Sequence, residues 1–500
     1  MSTGSAFTFS DTDLQKFSEL SLDANPLHLS ADFCRRTTYG KPIVFGVFVA
    51  LSALRILKDR GGMRMKTCSL DFLSPAFTGV TYQPMVEAED EASASLKVMD
   101  GSKLILKMKL DFFSAKARSL PEVPKTASVL SSLDLTGEDL KPGRTAKGKF
   151  QPGSSEIQAF MKDLQIEAKG LDAVDVASMF WTGYVVGMEM PGKRGLFGAL
   201  RLKTLPTDSS LNEISYSAEL VNFDTRFQRA RVNAKLQASG SDLATAEITS
   251  YLLSETILAA TDGNDYPVAS DLKGKVALVV GASRGLGAEV AKILCARGCQ
   301  VFGSYQQSDA EITAIEKWAE GKPGKIIPLK GDVSVEEVVA GLAKKADSAG
   351  GLDFILLASS PERLRMKLEP NSLGRILTFT QEAFRQVCVP LAHFAAHAER
   401  RKGTVAFVSS LELSNPASDL PHYLSAKAAA EMLVETAAKQ FPGARFFSAR
   451  APLFSSDRNK TPMGGIRSES VSVIAQRLVD NLLADHPPGY SVVSLDKDAD

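Results

Sequence analysis

A carboxylate and an imidazole lie five residues apart near the start of the chain. Asp23 and His28 flank the pair Asn25-Pro26. Positions i and i+5 lie on different faces of a helix, and proline disturbs the turn before it, so these side chains meet only where the chain bends. Asn-Pro favours such a bend. An imidazole that titrates near neutral pH, oriented by a carboxylate, is suited to general acid–base chemistry.

The segments on either side of this loop predict helices. Ser10 has the character of a helix cap with Asp13 three residues on, and an apolar stripe follows. After the loop, residues Gly46 to Leu57 are apolar almost all round, a pattern typical of a helix buried on every side. The Asp-His loop therefore lies between two predicted helices.

Residues 7 to 115 resemble the MaoC-like (R)-specific enoyl-thioester hydratases. The signature of that family is a helix, an Asp-x-Asn-Pro-x-His loop and a Pro-Ile-Val-His-Gly run that leads into the buried helix of a hot-dog fold. The resemblance implies that Asp23 and His28 are catalytic: they activate one water, which adds to C3 of a trans-2-enoyl thioester or is removed in reverse. It also implies that the backbone N–H of Gly46, at the helix N-terminus, stabilises the thioester oxyanion.

Two positions depart from that signature. Leu22 stands where the family usually has glycine before the aspartate, and Phe45 stands where it usually has histidine before the helix glycine. Because the acid and the base are retained, these changes bear on substrate fit and rate more than on reaction type. In the alternative interpretation, Asp23 caps a turn and His28 is a structural residue.

Strands are predicted after the buried helix, as a hot-dog domain at residues 1–120 requires. A tight hairpin through Asp100-Gly101 joins the last two of them. Residues 115–149, rich in Ser, Pro, Lys and Gly, predict a linker. The predicted strands are Ser69–Phe77, Val80–Glu89, Ala94–Met99 and Leu104–Phe112.

The pattern of a buried helix followed by strands recurs from residue 150 to 262, and this segment contains no histidine. Residues 171–190 predict a second buried helix, in which Trp181, Tyr184 and Met188 either line an acyl tunnel or belong to the core. We expect a degenerate second hot-dog domain at residues 121–265, because pairing with the first would cover an exposed sheet edge. An unrelated α+β insert is the alternative. Strands are predicted at Glu213–Phe223, Phe227–Gln237 and Ala244–Leu253.

From residue 266 to 500 apolar strands alternate with helical segments. The strand Val276–Val280 runs into a loop that contains Gly281, Gly285 and Gly287 and then into an amphipathic helix. A buried parallel strand followed by a glycine turn and a helix N-terminus is the phosphate-binding start of a Rossmann unit.

Tyr423 and Lys427 form a Tyr-x3-Lys motif, and Ser410 lies thirteen residues before the tyrosine, close to the end of a predicted strand. With Asp332-Val333 after the third strand and Arg450-Ala451-Pro452 after the sixth, residues 270 to 500 resemble the short-chain dehydrogenase/reductases, particularly the 3-ketoacyl-thioester reductases.

This resemblance implies a role for each catalytic residue. Tyr423 donates a proton to the carbonyl oxygen as hydride arrives, and Ser410 hydrogen-bonds that oxygen. Lys427, one helical turn away, lowers the pKa of the tyrosine and holds the nicotinamide ribose. The implied cofactor-binding residues are Gly281, Ser283, Arg284, Gly285, Leu286, Gly287, Asp332, Val333, Tyr423 and Lys427.

The sequence favours NADPH as the cofactor. NAD-specific members carry an acid at the end of the second strand, and residues 301–307 contain none. Arg284 in the glycine loop can face a 2′-phosphate. In the alternative interpretation, Arg284 is only a solvated charge of the loop.

The reductase half also departs from its family. The usual Asn-Asn-Ala-Gly is Leu356-Leu357-Ala358-Ser359, and the helix around Phe379 to Phe384 lacks the asparagine that serves a proton-relay water. His422 adjoins Tyr423, and we expect a surface loop position for it.

Bulk properties exclude several classes. Lys+Arg and Asp+Glu number 58 each, so the net charge of zero gives no support for a nucleic-acid or anionic-membrane partner. The five cysteines show no metal-type clustering, which indicates reduced thiols and no metal. The polar N-terminus lacks a signal peptide, and the apolar run Pro42–Leu54 is too short to span a bilayer, so we expect a cytoplasmic protein.

The two chemistries fit one pathway. We expect an α+β double hot-dog followed by an α/β doubly wound parallel sheet, with NADPH-dependent 3-ketoacyl reduction and 3-hydroxyacyl dehydration on a carrier-protein or CoA thioester. The alternatives are a monofunctional ketoreductase whose hot-dog half only binds acyl chains, and a non-catalytic acyl-carrier-binding scaffold. The resemblance to the reductases also implies a dimer or tetramer.

Overall fold

The computed structural model describes residues 2–121, 131–206, 213–238, 240–253, 266–455 and 469–496. These residues form two compact units, the first up to residue 253 and the second from residue 266 onward. The domain boundary predicted at residue 265 falls at the edge of a segment outside the described residues.

An antiparallel sheet forms the framework of the first unit. Ten strands are described in it: β1 (Ser2–Thr3), β2 (Met63–Phe72), β3 (Gln83–Glu89), β4 (Ser93–Asp100), β5 (Lys103–Ser114), β6 (Thr145–Lys149), β7 (Gly195–Thr204), β8 (Ile214–Asp224), β9 (Arg229–Ala238) and β10 (Ser241–Leu252).

The order of these strands across the sheet is β1-β3-β4-β5-β2-β7-β10-β9-β8-β6. Counted outward from the middle, the strands β2-β5-β4-β3 on one side correspond in chain order to β7-β10-β9-β8 on the other. We call residues 2–114 the first half and residues 145–252 the second half. The halves meet where Thr67–Asp71 of β2 pairs antiparallel with Ala199–Lys203 of β7. Hydrogen bonding is therefore continuous from one half to the other.

The helices of the first unit are α1 (Asp11–Ser21), α2 (Pro26–Leu29), α3 (Ala31–Cys34), α4 (Gly46–Ala53), α5 (Ser154–Asp163) and α6 (Ala173–Tyr184). Ser10 caps α1 reciprocally with Asp13, as predicted. Every residue of α4 after Gly46 is buried, as its apolar sequence predicts. Helix α6 continues as a π-helical turn, Val185–Glu189.

The second unit is a doubly wound sheet of seven parallel strands in the order β13-β12-β11-β14-β15-β16-β19. Its strands are β11 (Val276–Val280), β12 (Gln300–Tyr305), β13 (Lys325–Lys330), β14 (Phe354–Leu357), β15 (Thr404–Ser410), β16 (Arg445–Ala451) and β19 (Gly489–Ser494), and a separate ribbon pairs β17 (Phe454–Ser455) with β18 (Glu469–Ser470). The helices are α7 (Gly285–Ala296), α8 (Asp309–Ala319), α9 (Glu336–Ser348), α10 (Leu373–Arg400), α11 (Pro421–Gln440) and α12 (Val471–Leu483).

Two hydrophobic clusters enclose this parallel sheet. Helices α7 and α12 contribute to one cluster, and α10 and α11 contribute to the other. The strand order reverses between β11 and β14, and ligands of such sheets bind in the crevice beyond the carboxyl ends of the strands at this point.

Several predicted elements were wrong in extent. The strand expected at Ser69–Phe77 is β2, which begins six residues earlier, and the predicted linker contains β6. The predicted helix Gly46–Leu57 ends at Ala53, and a 3-10 turn follows. Helix α5 and strand β7 were missed, since Gly195 and Gly198 interrupt the start of β7 and its regular alternation begins only near Leu200.

Candidate active sites

The loop between α1 and α2 has the bend that its sequence predicts. Leu22 ends α1 in the left-handed region with φ 59°. Asn25 then caps α2 by accepting a hydrogen bond from Leu27 N at 2.9 Å, and Pro26 is the first helical residue. Because of this bend, Asp23 and His28 line the same cavity in the first unit.

His28 is held in one tautomer. Its Nδ1 lies 2.8 Å from the carbonyl oxygen of Ile43, which can only accept, so Nδ1 carries the proton and Nε2 of the neutral ring keeps its lone pair. Phe45 stacks on the imidazole with ring centres 3.9 Å apart. Burial lowers the pKa of His28 to about 4, against a smaller opposite effect of the Ile43 hydrogen bond. The ring is therefore neutral at pH 7.

Asp23 is only 3% exposed. Its Oδ1 accepts one hydrogen bond, from the backbone N–H of Asn25 at 3.1 Å. Burial raises the pKa of this carboxyl from 3.8 to about 7, and the Asn25 hydrogen bond lowers it by less. A proton can thus be taken up or released by Asp23 near neutral pH.

The cavity next to these two residues has a volume of about 390 Å³. Gly46, the first residue of α4, lies on its wall, and no side chain caps that helix. The second half also contributes to the wall, and sequence reasoning did not single out the residues concerned. Among them are Phe180 and Val186 of α6 and its π turn, Phe197 of β7 and Tyr251 of β10.

The glycine loop of the second unit closes tightly on itself. Gly281 has φ 88° and Gly285 has φ 57°, which are conformations that favour glycine. A methyl group on Gly287 would overlap the carbonyl oxygen of Gly281. Arg284 occupies the N-cap position of α7 without a side-chain cap, so the first N–H groups of the helix face the loop. Ser283 and Leu286 are buried beside it.

The Ser-Tyr-Lys residues lie where β15 meets α11. Ser410 ends β15, and its Oγ accepts a hydrogen bond from Glu412 N at 3.2 Å. Tyr423 and Lys427 lie one turn apart on α11, with the Lys427 ammonium 5.7 Å from the centre of the tyrosine ring. Lys427 Nζ donates to the carbonyl oxygen of Val408 at 2.7 Å, which ties α11 to β15.

The surroundings of this motif explain two sequence departures. Phe379 and Ala383 of α10 line a cavity of about 10 Å³ with Tyr423 and Lys427. Apolar side chains therefore lie in the helix segment where the family has its asparagine. His422 is fully buried in the first turn of α11 and packs edge-on against Phe379 at 4.5 Å. The predicted surface loop position of His422 was therefore wrong.

Arg363 is a further residue at this motif that the sequence did not indicate. Its guanidinium lies 4.9 Å from the centre of the Tyr423 ring and forms an ion pair with Glu412 at 2.9 Å. Arg363 belongs to an irregular loop after β14, and no local motif marks it. Two cations therefore lie within 6 Å of the tyrosine ring centre.

The carboxylates near the end of β12 already have partners. Asp309 accepts from Lys330 Nζ at 2.8 Å, and Asp332 accepts from Gln306 at 2.9 Å and from Ser334. Val333, next to Asp332, is buried.

Neither a metal centre nor a membrane span was found in the described part of the chain. No three His, Cys, Asp or Glu side chains there come together as metal ligands would. No helix there has both the length and the hydrophobicity needed to cross a bilayer.

Two family models match the chain, in the two units described above. Residues 2–106 match the model described as MaoC like domain, and residues 275–445 match the model of short chain dehydrogenase. The chain thus joins a MaoC-like hot-dog domain to a short-chain dehydrogenase domain with a parallel, Rossmann-like sheet, as the motifs predicted.

Relatives of known sequence match part of the chain. An uncharacterised oxidoreductase of Methylorubrum extorquens is 34% identical over 130 residues, which cover 24% of this chain and 52% of that protein. The 3-oxoacyl-[acyl-carrier-protein] reductase FabG of Vibrio cholerae is 26% identical over 161 residues, covering 32% and 64%. The chain therefore spans about half to two thirds of the length of these relatives.

Solved structures also align with the second unit. A short chain dehydrogenase from Burkholderia cenocepacia, crystallised in complex with NADP, is 21% identical with a TM-score of 0.40. The alignment covers 45% of this chain and 98% of that one.

Proposed function

We propose that this chain is a bifunctional enzyme, a 3-ketoacyl-thioester reductase that uses NADPH and a (3R)-hydroxyacyl-thioester dehydratase that also runs as an enoyl hydratase. The observation that carries the proposal is that Asp23 and His28 line one largely apolar cavity together with the uncapped N-terminus of α4. The substrates are acyl chains on acyl carrier protein or CoA, and the name of the Vibrio cholerae relative supports the acyl carrier protein.

In the first unit, the residues divide the work of hydration. Neutral His28 accepts a hydrogen bond from the water through Nε2, while ionised Asp23 takes a proton from it. The hydroxide adds to C3, and Asp23 returns a proton to C2, so that the protons balance. The N–H of Gly46 at the positive end of α4 binds the thioester oxygen as negative charge develops on it. Dehydration is the reverse sequence.

In the second unit, the glycine loop and the N-terminus of α7 fit the phosphates of a dinucleotide, because the first N–H groups of that helix have no side-chain cap. Glycine at positions 281 and 287 allows the loop to pack closely against Ser359 and against the start of α7. Ser283, Leu286, Asp332 and Val333 would hold the dinucleotide. NADPH supplies the hydride when bound. The acids near β12 are engaged with Lys330 and Gln306, and Arg284 would hold the 2′-phosphate.

The substrate carbonyl binds at the Ser-Tyr-Lys motif. Ser410 hydrogen-bonds the carbonyl oxygen, and Tyr423 protonates it. Lys427 and Arg363 both place positive charge near the tyrosine ring and so favour the phenolate that remains. Lys427 also holds the nicotinamide ribose.

We also propose that residues 1–120 and 121–265 are two hot-dog domains that form a double hot-dog, followed by the reductase domain at residues 266–500. The repeated strand order and the β2–β7 pairing support this arrangement. It gives one hydratase site per chain, since the second half contains no histidine.

Two variants of the full-length chain test the two activities separately. Tyr423→Phe should abolish NADPH oxidation with a 3-ketoacyl thioester and leave enoyl hydration in place. His28→Ala should lower hydration by about 10²–10⁴-fold and spare reduction. Each variant serves as the control for the other, on both CoA and carrier-protein thioesters. Loss of both activities in either folded variant would contradict separate sites, and wild-type hydration in His28→Ala would eliminate the hydratase assignment.

A further inference from the structure

The π turn Val185–Glu189 of the second half lies directly against the Asp23 loop of the first half. A methyl group on Gly187 would come within 2.9 Å of both Cγ and Oδ2 of Asp23, and closer still to Oδ1. The backbone N–H of Ala24 donates to Met188 Sδ at 3.2 Å. The Asn25 side-chain amide donates to the carbonyl oxygen of Gly192 at 3.2 Å. Three consecutive residues of the loop thus contact one short segment of the second half.

The contact with Asp23 explains why position 187 is a glycine. Gly187 is absent from the glycines with positive φ, so its backbone conformation suits any residue. The three atoms nearest to an added methyl group all belong to Asp23. The carboxyl group therefore occupies the volume that a side chain at Gly187 would fill.

The π turn is what brings this backbone to the carboxyl group. Helix α6 changes from α-helical to π-helical hydrogen bonding after Tyr184, and π turns are rare and frequently lie at functional sites. The wider turn alters the direction in which Gly187 and Met188 face, relative to an α-helical continuation of α6.

We propose that Gly187 and Met188 are positioning residues for Asp23, so that the half without a histidine fixes the proton-transferring group of the half that has one. The inference rests on the proposed hydratase function. Gly187 supplies the space for the carboxyl group, and Met188 holds the backbone next to it. An error of about 1 Å in the place of a reacting group can lower the rate by about 10²-fold.

Gly187→Ala and Gly183→Ala form a matched pair for the test. A methyl group on Gly183 would lie 3.6 Å from Asp23 Oδ2 and 3.7 Å from Val47, which are ordinary van der Waals distances. With crotonyl thioester, Gly187→Ala should lower kcat for hydration by about 10²-fold with little change in KM. The loss in Gly183→Ala should be at least about tenfold smaller. Urea unfolding followed by Trp181 fluorescence in a Trp318→Phe background reports whether the first unit of each variant is folded.

A double-mutant cycle separates positioning from general damage. If Gly187→Ala acts through Asp23, then adding it to Asp23→Asn should lower the residual hydration no further. A further loss as large as that in the wild-type background would overturn the inference, as would equal losses in the two alanine variants.

Crystal structures of the two variants give a readout that does not depend on activity. The Asp23 carboxyl group should be displaced in Gly187→Ala and should keep its place in Gly183→Ala. An unmoved carboxyl group in Gly187→Ala would refute the inference even if the wild-type chain hydrates enoyl thioesters. A wild-type chain without hydration would instead refute the proposed function, while the displacement would still decide the positioning.

Discussion

The two halves of the first unit share a strand order, but the buried helix is capped at its N-terminus in one half and uncapped in the other. Helix α4 begins at Gly46 on the cavity wall with no side-chain cap. Helix α6 is capped by Asp172, which forms ion pairs with Arg64 at 3.0 Å and Arg118 at 2.9 Å, and Arg118 also contacts Asp175 at 2.5 Å. The N–H groups at one helix end thus lie at a cavity, and those at the other end are satisfied within the protein.

The buried carboxylates of the two halves also differ in their surroundings. In the first half, Asp23 is buried and pairs with no cation among the described residues, and burial raises its pKa to about 7. In the second half, buried carboxylates are surrounded by two guanidinium groups. Burial and the neighbouring Asp172 raise the pKa of Asp175, while Arg118 and Arg64 lower it.

The largest expected effect comes from breaking the ion pairs at α6. Arg118→Met removes one partner of buried carboxylates and should lower the free energy of unfolding by about 3–5 kcal/mol. Urea unfolding followed by fluorescence measures this in a Trp318→Phe background, where Trp181 in α6 is the remaining tryptophan.

Arg201→Met is the matched control, because the pair Arg201–Asp71 also joins the two halves but its side chains are 49% and 42% exposed. It should cost less than about 1 kcal/mol. Equal losses in the two variants would remove the distinction between a buried and an exposed network.

An opposite effect is expected at Asp23. Asp23→Asn keeps an oxygen for the Asn25 N–H and removes a buried charge, so at pH 8 it should stabilise the first unit by a few kcal/mol. The upper limit is on the order of 4 kcal/mol, from a pKa raised from 3.8 to about 7.

The pH dependence of this effect has a definite sign. The raised pKa stabilises wild-type folding below about pH 4, and this contribution is lost as pH rises to about 7. The advantage of Asp23→Asn should therefore grow from pH 4 to pH 8 and then level off. Urea midpoints at several pH values measure it, and a variant no more stable than wild type at pH 8 would contradict the cost assigned to the open site.

The smallest expected change in stability concerns two left-handed residues that follow helices. Leu22 after α1 has φ 59° and Gln165 after α5 has φ 58°, so both adopt the left-handed region without being glycine. Gln165→Gly should stabilise by about 0.5–1 kcal/mol, because Gln165 is exposed and loses only strain. Leu22→Gly should gain less, since the half-buried leucine also loses apolar contacts. Thermal unfolding measures both, and destabilisation by Gln165→Gly would show that the strain is absent.

The geometry of the candidate sites was predictable from sequence where their residues form a local motif. The bend between Asp23 and His28 follows from Asn25-Pro26, and the turn spacing of Tyr423 and Lys427 follows from one helix. The resembled family usually has glycine at the position of Leu22, and the structure gives a physical reason: the residue there is left-handed, a conformation that glycine adopts at little cost.

What the sequence did not reveal depends on contacts between distant segments. Gly187 lies 164 residues from Asp23, and nothing near it in sequence indicates a carboxyl group. The stacking of Arg363 on Tyr423 depends on the course of an irregular loop after β14. His422 was placed at the surface because its polarity outweighed its position in the first turn of α11, where it faces Phe379.

The pairing of β2 with β7 has a consequence for how such an enzyme evolves. In a dimer of identical chains, a substitution that caps the helix N-terminus in one subunit also caps it in the other, because each mutation appears twice. Here the two copies of the arrangement lie in one polypeptide, from Thr67–Asp71 to Ala199–Lys203 across the junction. Each copy can therefore accumulate its own substitutions, and a pseudosymmetric chain can divide labour in a way that exact symmetry forbids.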